Sequence, residues 1–147
     1  MEPIWQIAAI KLFAITASIV ALHLVALALW TGTVRSMRKV YVNPEDAKML
    51  KGAGSDVDHP DVARVKRAHQ NLLENAVPFF AVGFLYALTN PSALGAQAYL
   101  WTFVGARLLH TVFYLAEKQP FRTLMFGIGA LAIIGMGVHV LRFAIAM

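Results

Sequence analysis

Cysteine is absent from the 147-residue chain. That excludes disulfides, thiolate metal sites and a nucleophilic protein thiol, so any thiol chemistry must use a thiol carried in by a ligand. Charge is scarce too: Asp, Glu, Lys and Arg make up 14% of the residues against 59% hydrophobic, with a mean hydropathy of +0.61. Such a balance excludes an ordinary soluble domain. The surplus of five positive charges is not set in a basic, aromatic-bearing RNA- or DNA-binding module and is placed to suit membrane topology, so nucleic acid is not an expected partner. No His and Glu spacing resembles a zinc or di-iron site, so no metal is expected. The first apolar segment lacks the basic start and small-residue cleavage site of a secretory signal, and it is expected to remain as a span.

What is present is apolar length. Each crossing needs about 20 apolar residues to cover about 30 Å of hydrocarbon, so the chain accommodates four. Residues 12–34 carry no Asp, Glu, Lys or Arg, and Trp5 and Trp30 flank them where amphipathic rings prefer the headgroup level. The expected architecture is an all-α membrane protein, a bundle of four transmembrane helices in one domain over 1–147. Its spans are 8–34, 62–89, 94–116 and 121–143, with a long polar loop at 35–61. Asp61, after Pro60, is the expected cap of the second helix. From Arg35 to Arg67 there are eight Lys or Arg against five Asp or Glu, whereas the turn "TNPS" has no charge. The long loop is therefore expected to be cytoplasmic.

Charge also enters the spans. At about 100° per residue, Arg64, Arg67, Asn71, Glu74 and Pro78 fall within an arc of roughly 80° on the second helix. Arg107, His110, Thr111 and Tyr114 share a face of the third. With a rise of about 1.5 Å per residue, Glu74 and His110 lie roughly 22–24 Å from the outer turn and Arg107 about 18 Å, in one layer. Arg122 and Arg35 lie just below it. A lipid-facing charge at that depth costs about 2.5–3.5 kcal/mol, so these groups need a protein-lined or wet cavity. The alternative is a buried ion pair, Arg67 or Arg107 with Glu74, that fixes helix register. A channel or voltage sensor would need arginines repeated along one span, which only Arg64 and Arg67 approach.

A cavity rich in Arg, with one Glu, an Asn and a Tyr, suits a ligand bearing several carboxylates and an ammonium. Glutathione meets that description; a nucleotide or an anionic lipid headgroup meets much of it.

Four segments carry a resemblance: "NPEDA" at 43–47, "RVKRAHQNLLENAVPFF" at 64–80, "FVGARLLHTVFYL" at 103–115 and "QPFRTL" at 119–124. In this order they resemble the MAPEG family, the membrane-associated proteins in eicosanoid and glutathione metabolism, and within it the microsomal glutathione transferase and prostaglandin E synthase branch. The resemblance implies a homotrimer binding glutathione between subunits near the cytoplasmic face. It implies glutathione contacts at Arg35, Arg67, Asn71, Glu74, His110, Tyr114 and Arg122. Arg122 would face the thiolate, and Thr123 takes the place of a serine assigned an assisting role in the prostaglandin synthases. Phe126 replaces a tyrosine of that branch, and Gln70 an arginine.

The expected function is a membrane-bound glutathione transferase or peroxidase of the detoxifying kind. It would turn glutathione into a thiolate for attack on a lipophilic electrophile or hydroperoxide supplied by the membrane lipid. Arg122, Thr123 and Tyr114 are the expected catalytic residues. The alternatives are a glutathione-dependent prostaglandin-type isomerase and a non-catalytic lipid-binding scaffold of the same family. The small-residue-rich spans favour a bacterial inner membrane over that of the endoplasmic reticulum.

Overall fold

A computed structural model of the protein describes residues 7–147. Trp5 lies outside the described residues. Four long helices dominate: α1 (Ala8–Arg38), α3 (Pro60–Leu88), α4 (Ala93–Leu115) and α5 (Phe121–Ile145). The α1–α3 connector holds a two-residue strand, β1 (Val40–Tyr41), a short helix, α2 (Pro44–Met49), and a second strand, β2 (Ala53–Gly54), paired parallel to β1. This small βαβ unit was not foreseen from the sequence, because two-residue strands leave no alternation to read. Its closure requires glycine at position 52, where a Cβ would fall 2.6 Å from the Lys39 carbonyl oxygen.

Local chemistry sets the helix limits. Pro60 occupies the first turn of α3, where its missing N–H is no loss. The cap is His59, not Asp61 as expected: the His59 imidazole Nδ1 accepts from the Asp61 N–H at 3.2 Å. With proline at the first helical position, the capping residue must lie before it, and Asp61 instead places its negative charge in the first turn. At the far ends of α1, α3 and α4 the chain leaves the helix through left-handed residues Lys39, Asn90 and Glu117. Their N–H groups bond back to Arg35, Ala87 and Tyr114 carbonyls at 3.0, 3.2 and 3.4 Å. Pro78 sits inside α3 without ending it.

The helices pack with α4 against α5 and α1 against α3 as the broadest contacts. Phe79 of α3 and Phe103 of α4 stack with ring centroids 4.1 Å apart and planes 6° from parallel. Val20, Leu100, Ala132 and Met136 close the core around them. Outside lies a sheath of exposed aliphatic side chains, including Leu22, Leu29, Leu131 and Leu141, as lipid contact allows. Three helices, α1, α3 and α5, are long and apolar enough to cross a membrane by length and composition. α4 is long enough but buries Arg107, His110 and Thr111 on its inner face, which lowers its apolar content.

At the polar end, Asp58 receives Lys66 Nζ at 2.6 Å and Arg35 Nη2 at 3.3 Å. Arg38 pairs with Asp61, and Arg64 with Glu117 at 2.9 Å. The hydrogen bond from Lys66 holds the Asp58 carboxyl below the usual carboxylate range, with the Lys66 and Arg35 charges adding to it and partial burial opposing. A depressed folded-state value means that the contact stabilises the fold at neutral pH and is lost as pH falls below about 4. Asp58→Asn should therefore lower stability at neutral pH by about 1 kcal/mol, allowing for screening at the half-exposed Lys66. Thermal unfolding of both proteins should converge as pH falls below the ordinary carboxylate range; parallel pH profiles would remove Asp58 from this role.

Candidate active site

Three helices converge on a cavity of about 230 Å³ lined by Asn71 of α3, His110 and Tyr114 of α4, and Arg122, Thr123 and Phe126 of α5. The spacing explains the convergence: His110 and Tyr114 are four apart on α4, and Arg122 and Phe126 four apart on α5, so each pair presents to one side of its helix. No carboxylate lines the cavity.

Arg122 is held from two sides. Its Cζ lies 4.8 Å from the centroid of the Tyr114 ring, a separation at which the ring face attracts a cation. Behind it, the Gln119 amide stands between Thr123 and Arg122. In the orientation that satisfies both, it donates to Thr123 Oγ1 at 3.0 Å and accepts from Arg122 Nε at 3.2 Å. Gln119 was not singled out in the sequence: it lies before the first residue of α5, so helical spacing does not group it with Arg122 and Thr123. His110 is 5% exposed and its ring lies 5.7 Å from Tyr114 and 6.2 Å from Phe126. Asn71 Oδ1 is buried and makes no hydrogen bond among the described residues, which leaves an acceptor for a ligand N–H or O–H.

The remaining expected contacts lie elsewhere in the isolated chain. Arg67 and Glu74 are exposed on α3 beside Gln70, which donates from Nε2 to Glu74 Oε1 at 3.0 Å. Arg35 is engaged with Asp58. Arg64, from the same stripe, is engaged with Glu117. Of that stripe, Asn71 reaches the cavity wall. Neither expected register pair, Arg67 with Glu74 or Arg107 with Glu74, is among the ion pairs formed. Among the described residues no group of His, Asp and Glu is arranged to hold a metal ion.

A half-buried guanidinium, two hydroxyls, an amide and an imidazole at the polar end of a helix bundle suit a small polar anion approached from within a membrane. The fold thus describes a multi-pass membrane protein, with this cavity among its helices as the candidate site. The MAPEG family profile matches residues 13–142, and the chain belongs to that family, whose fold is a four-helix membrane bundle. The human microsomal glutathione S-transferase 1 is 37% identical over 136 residues, 88% of this chain and 87% of its own length. The rat protein of that name is 38% identical over 132 residues, 86% and 84% of the two chains. The horse prostaglandin E synthase is 32% identical over 133 residues, 90% and 87%.

Tyr114 should matter through its ring rather than its hydroxyl in seating Arg122. Tyr114→Leu should weaken binding of a carboxylate- or sulfonate-bearing probe by about 0.5–2 kcal/mol, and Tyr114→Phe by much less. Calorimetric titration of the purified variants measures this, and equal losses in both would assign the effect to the hydroxyl.

Proposed function

We propose that the protein is a glutathione transferase with associated peroxidase activity, acting on lipophilic electrophiles or hydroperoxides drawn from the bilayer. The observation that carries this reading is the seating of Arg122 between the Tyr114 ring and the Gln119 amide, beside the Thr123 hydroxyl. The relatives named as microsomal glutathione S-transferases support the co-substrate.

A free thiol has a pKa near 8.5 and is mostly protonated at neutral pH, and a guanidinium beside it favours the anion. Arg122 takes that role, with the Thr123 and Tyr114 hydroxyls as further donors to sulfur. The thiolate then attacks an electrophilic carbon and the leaving group departs with the bonding pair. With a hydroperoxide it attacks the terminal oxygen, an alcohol leaves after protonation, and a second glutathione converts the sulfenic acid to the disulfide and water.

His110 and Asn71 would hold the tripeptide's peptide groups. Arg35, Arg67 and Glu74 would meet its carboxylates and its amino group. That assignment needs a homotrimer with the ligand between subunits, and the exposed Arg67, Gln70 and Glu74 on α3 support it. Within a membrane such groups cost about 2.5–3.5 kcal/mol each if left to lipid, and a second copy of the chain covers them. The basic connector orients the cavity toward the cytoplasm, and we place the chain, as one MAPEG-type domain, in a bacterial inner membrane. The isomerase alternative is disfavoured by Phe126, which brings no hydroxyl to the cavity wall.

Glutathione added to the wild-type protein at neutral pH should produce the ultraviolet difference absorbance of a thiolate, and Arg122→Ala should lose most of it. An undiminished signal would remove Arg122 from the mechanism, and no saturable glutathione binding at all would leave the scaffold reading. Turnover with a model aromatic halide and with a lipid hydroperoxide separates transferase from peroxidase. Native mass measurement in mild detergent should give three chains; a monomer that still binds glutathione would overturn the shared-site arrangement.

A further inference from the structure

Arg107 takes no part in the reaction just described, yet it is the largest fully buried side chain, 1% exposed. Its Nη2 donates across the α4–α5 interface to the Phe126 carbonyl at 3.1 Å. Its Cζ lies 5.4 Å from the centroid of the Phe103 ring and 5.1 Å from that of Phe126. The space it fills exists because residue 129 is glycine: a Cβ there would come within 2.6 Å of Nη2. Nε and Nη1 make no hydrogen bond among the described residues.

As a means of joining two helices this is costly. A buried cation with unsatisfied donors loses hydration that its few contacts do not restore, and replacement of such groups by apolar side chains of similar volume is often neutral or stabilising. Its place in the fold indicates what it does instead. Phe126 lies one helical turn after Arg122, so its N–H closes the i to i−4 bond on the Arg122 carbonyl. Its ring also forms a wall of the cavity. On α4, His110 and Tyr114 follow Arg107 at three and seven residues, on the same face. The guanidinium therefore grips the turn of α5 that carries Arg122 and Thr123 at the level of the α4 turns that carry His110 and Tyr114.

We infer that Arg107 is a positioning residue: through the Phe126 carbonyl and ring, in the space left by Gly129, it sets the height and orientation of the Arg122 guanidinium over the bound sulfur. Its kinetic readout rests on the thiolate chemistry proposed above. The tripeptide's carboxylates, amino group and peptide groups are assigned to other residues, so affinity should change less than thiol ionisation.

Arg107→Met and Gly129→Ala test this from two sides, the first removing the cation and the second displacing it by a methyl group. In both variants the glutathione Kd should change by less than about tenfold, while the pKa of the bound thiol rises by about one unit, cutting the thiolate present at neutral pH by up to about tenfold. The Tm of Arg107→Met should be unchanged or higher, the opposite of what a merely structural arginine would give. A lower Tm with an unaltered thiol pKa overturns the inference, and Gly129→Ala decides it if Arg107→Met fails to assemble. If the wild type forms no thiolate, the proposed function fails instead. 4-Fluorophenylalanine at position 126 then decides: its fluorine resonance should shift in both variants, and an unmoved resonance overturns the clamp.

Discussion

A polar side chain placed in hydrocarbon has to be surrounded by protein, and the arrangement of α3, α4 and α5 follows from that requirement. α4 carries Arg107, His110 and Thr111 on one face, all buried, and the α5 backbone with the Phe103 and Phe126 rings closes over Arg107, while the Phe126 ring also lies near His110. The contact between α4 and α5 is accordingly the broadest in the molecule. Small residues make it possible: at Gly129 the helices come close enough for a guanidinium to lie against backbone, as small residues do at interfaces within membranes.

The same requirement organises the two ends of the bundle differently. Near the connector, cations meet carboxylates in water-accessible pairs, Arg35 and Lys66 with Asp58, Arg64 with Glu117, and these tie α1, α3 and the α4–α5 turn together. At the other end Thr89 Oγ1 lies 3.0 Å from His139 Nε2, and the His139 ring stands edge-on to Tyr86 with centroids 5.0 Å apart. One ring nitrogen of that histidine is thereby engaged within the bundle. Beside the first of these ends lies the cavity, where Arg122 meets an aromatic face and an amide but no acid. A cation left without a counter-carboxylate is what the proposed binding of an anion rests on.

Much of this was legible in the residues. The four long helices follow from apolar run length and the intervening "TNPS" and "EKQP" turns. His110, Tyr114 and Arg122 could be grouped from helical spacing and depth, whereas Thr123 entered only through the family resemblance. Less legible were features that depend on one atom's position. The His59 cap requires knowing that Pro60 takes the first helical place. The left-handed helix ends at Lys39, Asn90 and Glu117 involve no glycine to announce them. The βαβ unit in the connector rests on pairings two residues long.

The sequence by itself determined the membrane setting, the number of long helices and which faces are polar, because hydrophobic run length and a period of about 3.6 residues are properties of the linear chain. Only the tertiary structure decided which of those polar groups meet. Arg64 and Arg67 read as equals on one stripe, yet Arg64 turns to Glu117 while Arg67 stays exposed. Arg107 and Arg122, in different helices, come to share Phe126 as neighbour and spacer. The reason is that angular position on a helix is set locally, whereas the partner across the gap depends on how two helices are packed, down to the single missing Cβ at Gly129.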